Sequence, residues 1–235
     1  MKGNGSQPPM PRVGIVIPSH DEVKANFAMA LAAMTYSMKI PLAIFNQKGS
    51  NVANNRNHGV DQCRKFKCDY MAMFDSDMSF PHNTLLRLLA HRKEIVGATY
   101  ARRTHPHTNM ARPLNDERMD VSGLVEVAAL PTGCMLIHMS VFDKLKRPYF
   151  RFPIQEEDGP VPAGYEGMVP DDGQPRNLGE DYSLCWLARG HGVKVWLDVE
   201  LSYELVHWGE QGIRLKEGEE NGYESIELPA AIQGV

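Results

Sequence analysis

No apolar run in this 235-residue chain approaches the roughly 18 residues a membrane-spanning helix needs. Met1 to Arg12 is rich in Gly, Pro, Ser and Asn and lacks the apolar core of a secretory leader. Only four cysteines occur, Cys63, Cys68, Cys134 and Cys185, and no two closely spaced pairs of them match a zinc knuckle. Free thiols and a cytoplasmic location are therefore expected. No internal repeat is visible. Charge is nearly balanced, with a net −4, so the chain as a whole has no pull on nucleic acid or anionic membrane. Basic groups are local: Arg102 and Arg103, with His105 and His107 close behind, and Arg112.

A hydrophobic content of 43% suits one large α/β domain with a substantial core. Val13 to Pro18 reads as a buried strand stopped by Pro18 and a polar turn, Ser19-His20-Asp21-Glu22. A helix is expected from Glu22 to Met38, with Met29, Met34 and Met38 as core filler. Then come a strand over Pro41 to Phe45, a helix over Asn51 to Lys67 and a strand over Tyr70 to Phe74. Pro81 opens a helix from His82 to His91, and Glu94 to Tyr100 is strand-like. Strands alternating with helices predict a layered, mostly parallel sheet.

Later segments read as strands at Leu124 to Leu130 and Gly133 to His138, a short helix from Ser140 to Leu145, a helix from Glu180 to Arg189 and a strand from Val193 to Leu197. Leu201 to Val206 reads as a further strand, and the tail beyond Leu215 as loosely packed. Residues 153–177, crowded with Pro, Gly and acids, form a long aperiodic loop of the kind that closes over ligands; it carries Tyr165, Asp171 and Asp172.

The most informative stretch is Asp75-Ser76-Asp77, at the tip of the apolar run Tyr70 to Phe74. Side chains two apart on an extended segment point the same way. Two carboxylates so placed repel unless a cation lies between them, and Mg²⁺ or Mn²⁺ prefers such oxygens. Ligands of open α/β sheets bind beyond the carboxyl ends of the strands. That rule sets Ser19-His20-Asp21-Glu22 and Asp75-Ser76-Asp77 on one rim. Asn51 to Asn57 opens a helix with amides and a guanidinium suited to phosphate oxygens. Glu180 and Asp181 start a late helix, and His207 follows a late strand.

Taken in order, these pieces resemble a GT-A-fold glycosyltransferase of the kind that uses nucleotide-sugar donors, similar to glycosyltransferase family 2. The similar segments are Ile17 to Glu22, Ala53 to Asn57, Asp75 to Asp77, Pro131-Thr132-Gly133, Gly179-Glu180-Asp181 and His207. His20 stands where related enzymes often carry Asn or Tyr. The resemblance implies a single Rossmann-like α/β domain over residues 12–210, its mostly parallel mixed sheet flanked by helices. Residues 1–11 would be a flexible N-terminus and 211–235 a C-terminal tail.

It further implies an Asp-x-Asp site, Asp75 and Asp77 with His207, holding Mn²⁺ or Mg²⁺ on the donor diphosphate. Pro18, Ser19, His20, Glu22, Asn54, Arg56, Asp75, Ser76, Thr132 and Gly133 would face the nucleotide sugar. Asp181 would be the general base of an inverting enzyme, with Glu180 beside it. The donor favoured by analogy is a UDP-sugar, and the acceptor a hydroxyl of a saccharide, a small molecule or a modified nucleic acid. A retaining enzyme, including one that modifies DNA bases, is an alternative. So are a nucleotidyltransferase, although Pro18 to Glu22 lacks its Gly-rich, Lys/Arg-bearing loop, and a non-catalytic nucleotide-sugar-binding protein.

Overall fold

Every residue of the first strand, Val13–Ser19 (β1), is buried, as befits a strand covered on both faces. A computed structural model describes residues 10–103, 108–114, 123–153, 179–209, 212–216 and 223–226. After β1 come helix Ala25–Ser37 (α1), strand Leu42–Lys48 (β2), helix Val52–Lys65 (α2), strand Tyr70–Phe74 (β3) and the short strand Met78–Ser79 (β4). Helix Thr84–Ala90 (α3), strand Ile95–Gly97 (β5), strand Leu124–Val127 (β6), strand Cys134–His138 (β7) and helix Ser140–Lys144 (α4) follow. The chain continues through helix Glu180–Gly190 (α5), strand Val195–Asp198 (β8), helix Val199–Ser202 (α6) and strands Val206–Trp208 (β9), Gly212–Leu215 (β10) and Tyr223–Ile226 (β11).

Among the described residues, seven strands form one sheet in the order β2-β1-β3-β7-β5-β8-β6. β1 is parallel to β2 and β3, and β5 to β8. β7 runs antiparallel to both β3 and β5, so those two also point the same way. Five strands therefore deliver their carboxyl ends to one rim, and β7 starts there, with Cys134 opposite Phe74. This is the expected α/β domain core, a mostly parallel mixed sheet flanked by helices.

Alternation along the strands builds a core on each face. Met71 and Met73 of β3 join Val16, Val60, Leu184 and Phe142 on one side. Ala72 and Phe74 join Ile15, Phe27, Met34, Leu85 and Leu88 on the other. α2 lies hard on β1: a Cβ on Gly59 would fall 2.4 Å from Val16 Cγ1. All four cysteines are free and buried. Burial pushes the Cys185 thiol up to about 12 and those of Cys63 and Cys134 higher still, so they are inert packing groups.

A second sheet, ordered β11-β10-β9-β4, stands beside the rim. It differs from expectation twice. β4 is too short to show as a periodic pattern, and β11 falls in the stretch beyond Leu215 that was expected to be loosely packed. The strand expected over Leu201 to Val206 is instead the end of α6, a turn, and the start of β9. Asp198 caps α6, its carboxylate accepting from Leu201 N at 2.8 Å, while Ser202 Oγ donates to Asp198 O at 2.6 Å. α1 starts at Ala25 rather than Glu22, and Met29 is 71% exposed instead of filling the core. No helix among the described residues is long and apolar enough to cross a membrane.

Candidate active site at the carboxyl rim of the sheet

Asp75 leaves β3 at the rim and turns its carboxylate into the protein. Arg56 of α2 donates to Asp75 Oδ1 at 2.8 Å, and the buried Tyr100 hydroxyl donates to Oδ2 at 3.3 Å. Arg56 is 3% exposed and also ion-paired with Glu180, the first residue of α5. Two carboxylates thus bracket one guanidinium. Arg56, expected toward base, ribose or phosphate, is a buried keystone joining α2, β3 and α5.

Gly133, just ahead of β7, donates its N–H to Tyr100 Oη at 3.2 Å. A Cβ there would lie 2.4 Å from that oxygen, so only glycine fits beneath the phenol. Thr132 is fully buried, and its hydroxyl has no hydrogen-bond partner among the described residues. Burial holds the Tyr100 phenol well above its ordinary pKa, reinforced by Asp75, Asp181 and Asp77 and opposed by Arg56. One buried hydroxyl therefore feels all three aspartates.

Asp77 belongs to the other sheet. It leads into β4, which pairs antiparallel with β9 so that Met78 faces His207. Trp208 N donates to Asp77 O at 2.8 Å and Trp208 Nε1 to Ser79 Oγ at 2.8 Å, fixing that register. His207 Nδ1 lies 3.0 Å from Ala101 O; a carbonyl only accepts, so Nδ1 carries the proton. In the neutral ring that leaves Nε2 as a lone pair, 3.6 Å from Asp77 Oδ2. A backbone carbonyl fixing the far nitrogen is the usual support of a metal-binding histidine. Asp77 Oδ2 and a neutral His207 Nε2, with phosphate oxygens and water to complete the shell, fit a hard divalent cation. Among the described residues no three His, Cys, Asp or Glu side chains gather as a ready-made metal cluster, and the Asp75 oxygens are engaged by Arg56 and Tyr100.

Burial pushes the Asp77 carboxyl upward, but a hydrogen bond and positive charge from His207 in its protonated form, together with Arg103, outweigh it and hold the group below the usual aspartate range. Asp181, in the first turn of α5, moves the other way: burial raises it, Arg56 and the Tyr182 N–H oppose, and Asp75 adds to the rise. Its Oδ1 accepts from Tyr182 N at 2.8 Å. Arg112 stacks on the Tyr182 ring at 5.3 Å. Glu180 and Asp181 with Asp75 and Asp77 set four carboxylates against the guanidinium groups of Arg56 and Arg103, an electrostatic setting that favours a further cation.

The remaining expected residues are less central. Pro18 and Ser19 are buried at the end of β1, where Ser19 Oγ donates to Asn46 Oδ1 at 2.7 Å. His20 and Glu22 are exposed on the following turn. Asn54 is exposed, its N–H donating 3.0 Å to the capping Asn51 side chain. Ser76 accepts through its carbonyl from Lys24 N at 2.9 Å. His105, His107 and the expected lid with Tyr165, Asp171 and Asp172 lie outside the described residues. Tyr100 was not singled out from the sequence, Arg103 was noted only as one of the local basic groups, and Asn57 only within the Asn51 to Asn57 run. Asn57 accepts from Tyr149 N at 2.8 Å and Phe150 N at 3.2 Å, tying α2 to that segment. Tyr100 sits at the end of an expected strand, and that rim position was the one available signal.

No family model matches the chain, and no curated protein matches it. Solved structures do. The crystal structure of A197 from STIV superposes with a TM-score of 0.59 at 17% identity, covering 94% of this chain and 96% of that one. S. aureus TarS 1–349 matches at a TM-score of 0.37 and 14% identity, over 61% of this chain and 50% of that one. A glycosyltransferase involved in the glycosylation of the major capsid of PBCV-1 matches at 0.34 and 10%, over 59% and 70%. The likeness to A197 spans nearly the whole of both chains and shows the fold.

Proposed function

We propose that this chain is a metal-dependent glycosyltransferase that moves a sugar from a nucleotide-diphosphate sugar, a UDP-sugar by preference, to a hydroxyl acceptor. The observation that carries the reading is the facing of Asp77 Oδ2 and His207 Nε2, 3.6 Å apart, with the other ring nitrogen, Nδ1, committed to Ala101 O. Asp77 and His207 would hold the Mn²⁺ or Mg²⁺. That ion, when bound, offsets the charge that grows on the departing diphosphate.

The chain's own residues do the rest. Arg56 ties Asp75 and Glu180 together and so sets α5 against the rim. Asp181, at the start of that helix, is the base that takes the acceptor's proton as its oxygen attacks the anomeric carbon. A carboxyl whose pKa is raised by burial is a better proton acceptor than an ordinary one, provided the working pH lies above it. Direct displacement with Asp181 as base inverts the anomeric centre. The buried Tyr100 hydroxyl keeps Asp75 and the Thr132-Gly133 turn in register.

Calorimetric titration of UDP-sugars, with and without Mn²⁺, tests this. The wild-type chain should bind one donor only with metal, and Asp77→Asn should lose that metal-dependent binding. Metal-dependent binding that survives in Asp77→Asn overturns the assignment. Released nucleoside diphosphate, measured with water or simple saccharides as acceptor, separates an enzyme from a binding protein. NMR of the product anomer separates inversion from retention.

A further inference from the structure

Two groups converge on one oxygen of Asp77. His207 Nε2 is 3.6 Å from Oδ2, and the Arg103 guanidinium is 3.0 Å from that same oxygen. Arg103 also donates to Trp208 O at 3.3 Å, in the strand that carries His207. A divalent ion held between Oδ2 and Nε2 would sit in contact with this guanidinium. Like charges a few ångströms apart repel in a partly buried site, so the two cations compete for Oδ2. Arg103 can leave: its side chain is 46% exposed, whereas Arg56, at 4%, is locked between two carboxylates.

We propose that Arg103 is a resident cation that neutralises Asp77 until the divalent ion arrives, then turns its guanidinium to the diphosphate oxygens of the donor. The proposal rests on the reading of Asp77 as a metal ligand. Its consequence is coupling. Metal alone must displace an arginine from Oδ2, which weakens its binding. With a diphosphate present, the displaced guanidinium gains a planar, bidentate phosphate contact. Metal and nucleotide then favour each other's binding reciprocally, and Arg103 is a positioning residue for the donor.

Mn²⁺ titrations followed by electron paramagnetic resonance, without and with UDP, read this directly. Without nucleotide, Arg103→Ala should bind Mn²⁺ about fivefold more tightly than wild type, the scale of a partly exposed ion pair. With Mn²⁺ saturating, the same variant should bind UDP at least about fivefold more weakly. Arg103→Lys, which keeps the charge but not the fork, should restore the weak metal binding and regain only part of the UDP affinity. Mn²⁺ affinity equal in wild type and Arg103→Ala, while Asp77→Asn loses it, overturns the exchange and leaves the metal site standing. Mn²⁺ affinity unchanged in Asp77→Asn overturns the metal site, and the exchange with it.

Discussion

Asp75 and Asp77 are two residues apart and belong to different sheets. Asp75 directly follows β3 of the seven-stranded sheet, its oxygens engaged by buried Arg56 and Tyr100. Asp77 enters β4 in the four-stranded sheet, beside His207 and the half-exposed Arg103. The identical residue type thus serves two ends. Asp75 assembles α2, β3 and α5 into a rim, and Asp77 offers a carboxylate whose cationic partner can be exchanged. An Asp-x-Asp pair is a seam between a structural half and a chemical half, and Tyr100 spans it. The phenol bonds Asp75 while the ring edge packs on His207, centroids 4.8 Å apart.

The comparison breaks most visibly at the two arginines. Arg56→Met leaves the buried Glu180 and the partly buried Asp75 carboxylates without their cation. Removing one partner of such a network costs about 3–5 kcal/mol, so a large drop in the denaturation midpoint is expected. A midpoint within error of wild type would show that the keystone is dispensable. Asp181→Asn comes next: turnover falling by about 10²–10⁴-fold, with donor affinity nearly intact, is the signature of a lost general base. Donor affinity falling in step with turnover would move Asp181 to binding. Because burial raises this carboxyl, turnover should fail in acid at a pH above the ordinary aspartate range, and that limb should vanish in Asp181→Asn. Tyr100→Phe is milder. It removes one hydrogen bond to Asp75 and strands the buried Gly133 N–H, costing about 1–3 kcal/mol by denaturant titration.

Legibility in the sequence followed the same seam. The parallel strands could be read because each apolar run ends at a polar turn, as Val13 to Pro18 and Tyr70 to Phe74 do. β4 could not, since two residues carry no periodicity. Leu201 to Val206 misled because its apolar spacing fits a strand as well as a capped turn of helix, and the Asp198 cap decided it. Asp75, Asp77, Glu180, Asp181 and His207 were all singled out as a titratable set on one rim, and the fold gathers them around Tyr100 and Arg56. Their division into two groups was not legible, because it depends on which cation each carboxylate finds. Arg56 is 19 residues from Asp75, and Arg103 finds Asp77 only once β9 has closed on β4.

The smallest effect separates the aspartates by sign. Asp77 has its pKa lowered in the folded state, chiefly by His207 and Arg103 against the opposing effect of burial. Such a group contributes stability that is complete above its unfolded value, near ~3.9, and lost as pH falls through the lower folded value. Asp181 is raised, so its ionised form opposes folding at neutral pH, and that penalty is relieved as pH falls through its folded value. Asp77→Asn should therefore destabilise the chain at neutral pH by no more than about 1 kcal/mol, the scale of a partly exposed pair, with the deficit closing in acid below ~3.9. Asp181→Asn should stabilise it at neutral pH, with the gain fading as pH drops. Urea unfolding of both variants at neutral and acid pH checks the pair. Equal signs for the two substitutions would mean that the carboxylates share one environment, and the division of the rim into a structural and an exchangeable half would fall.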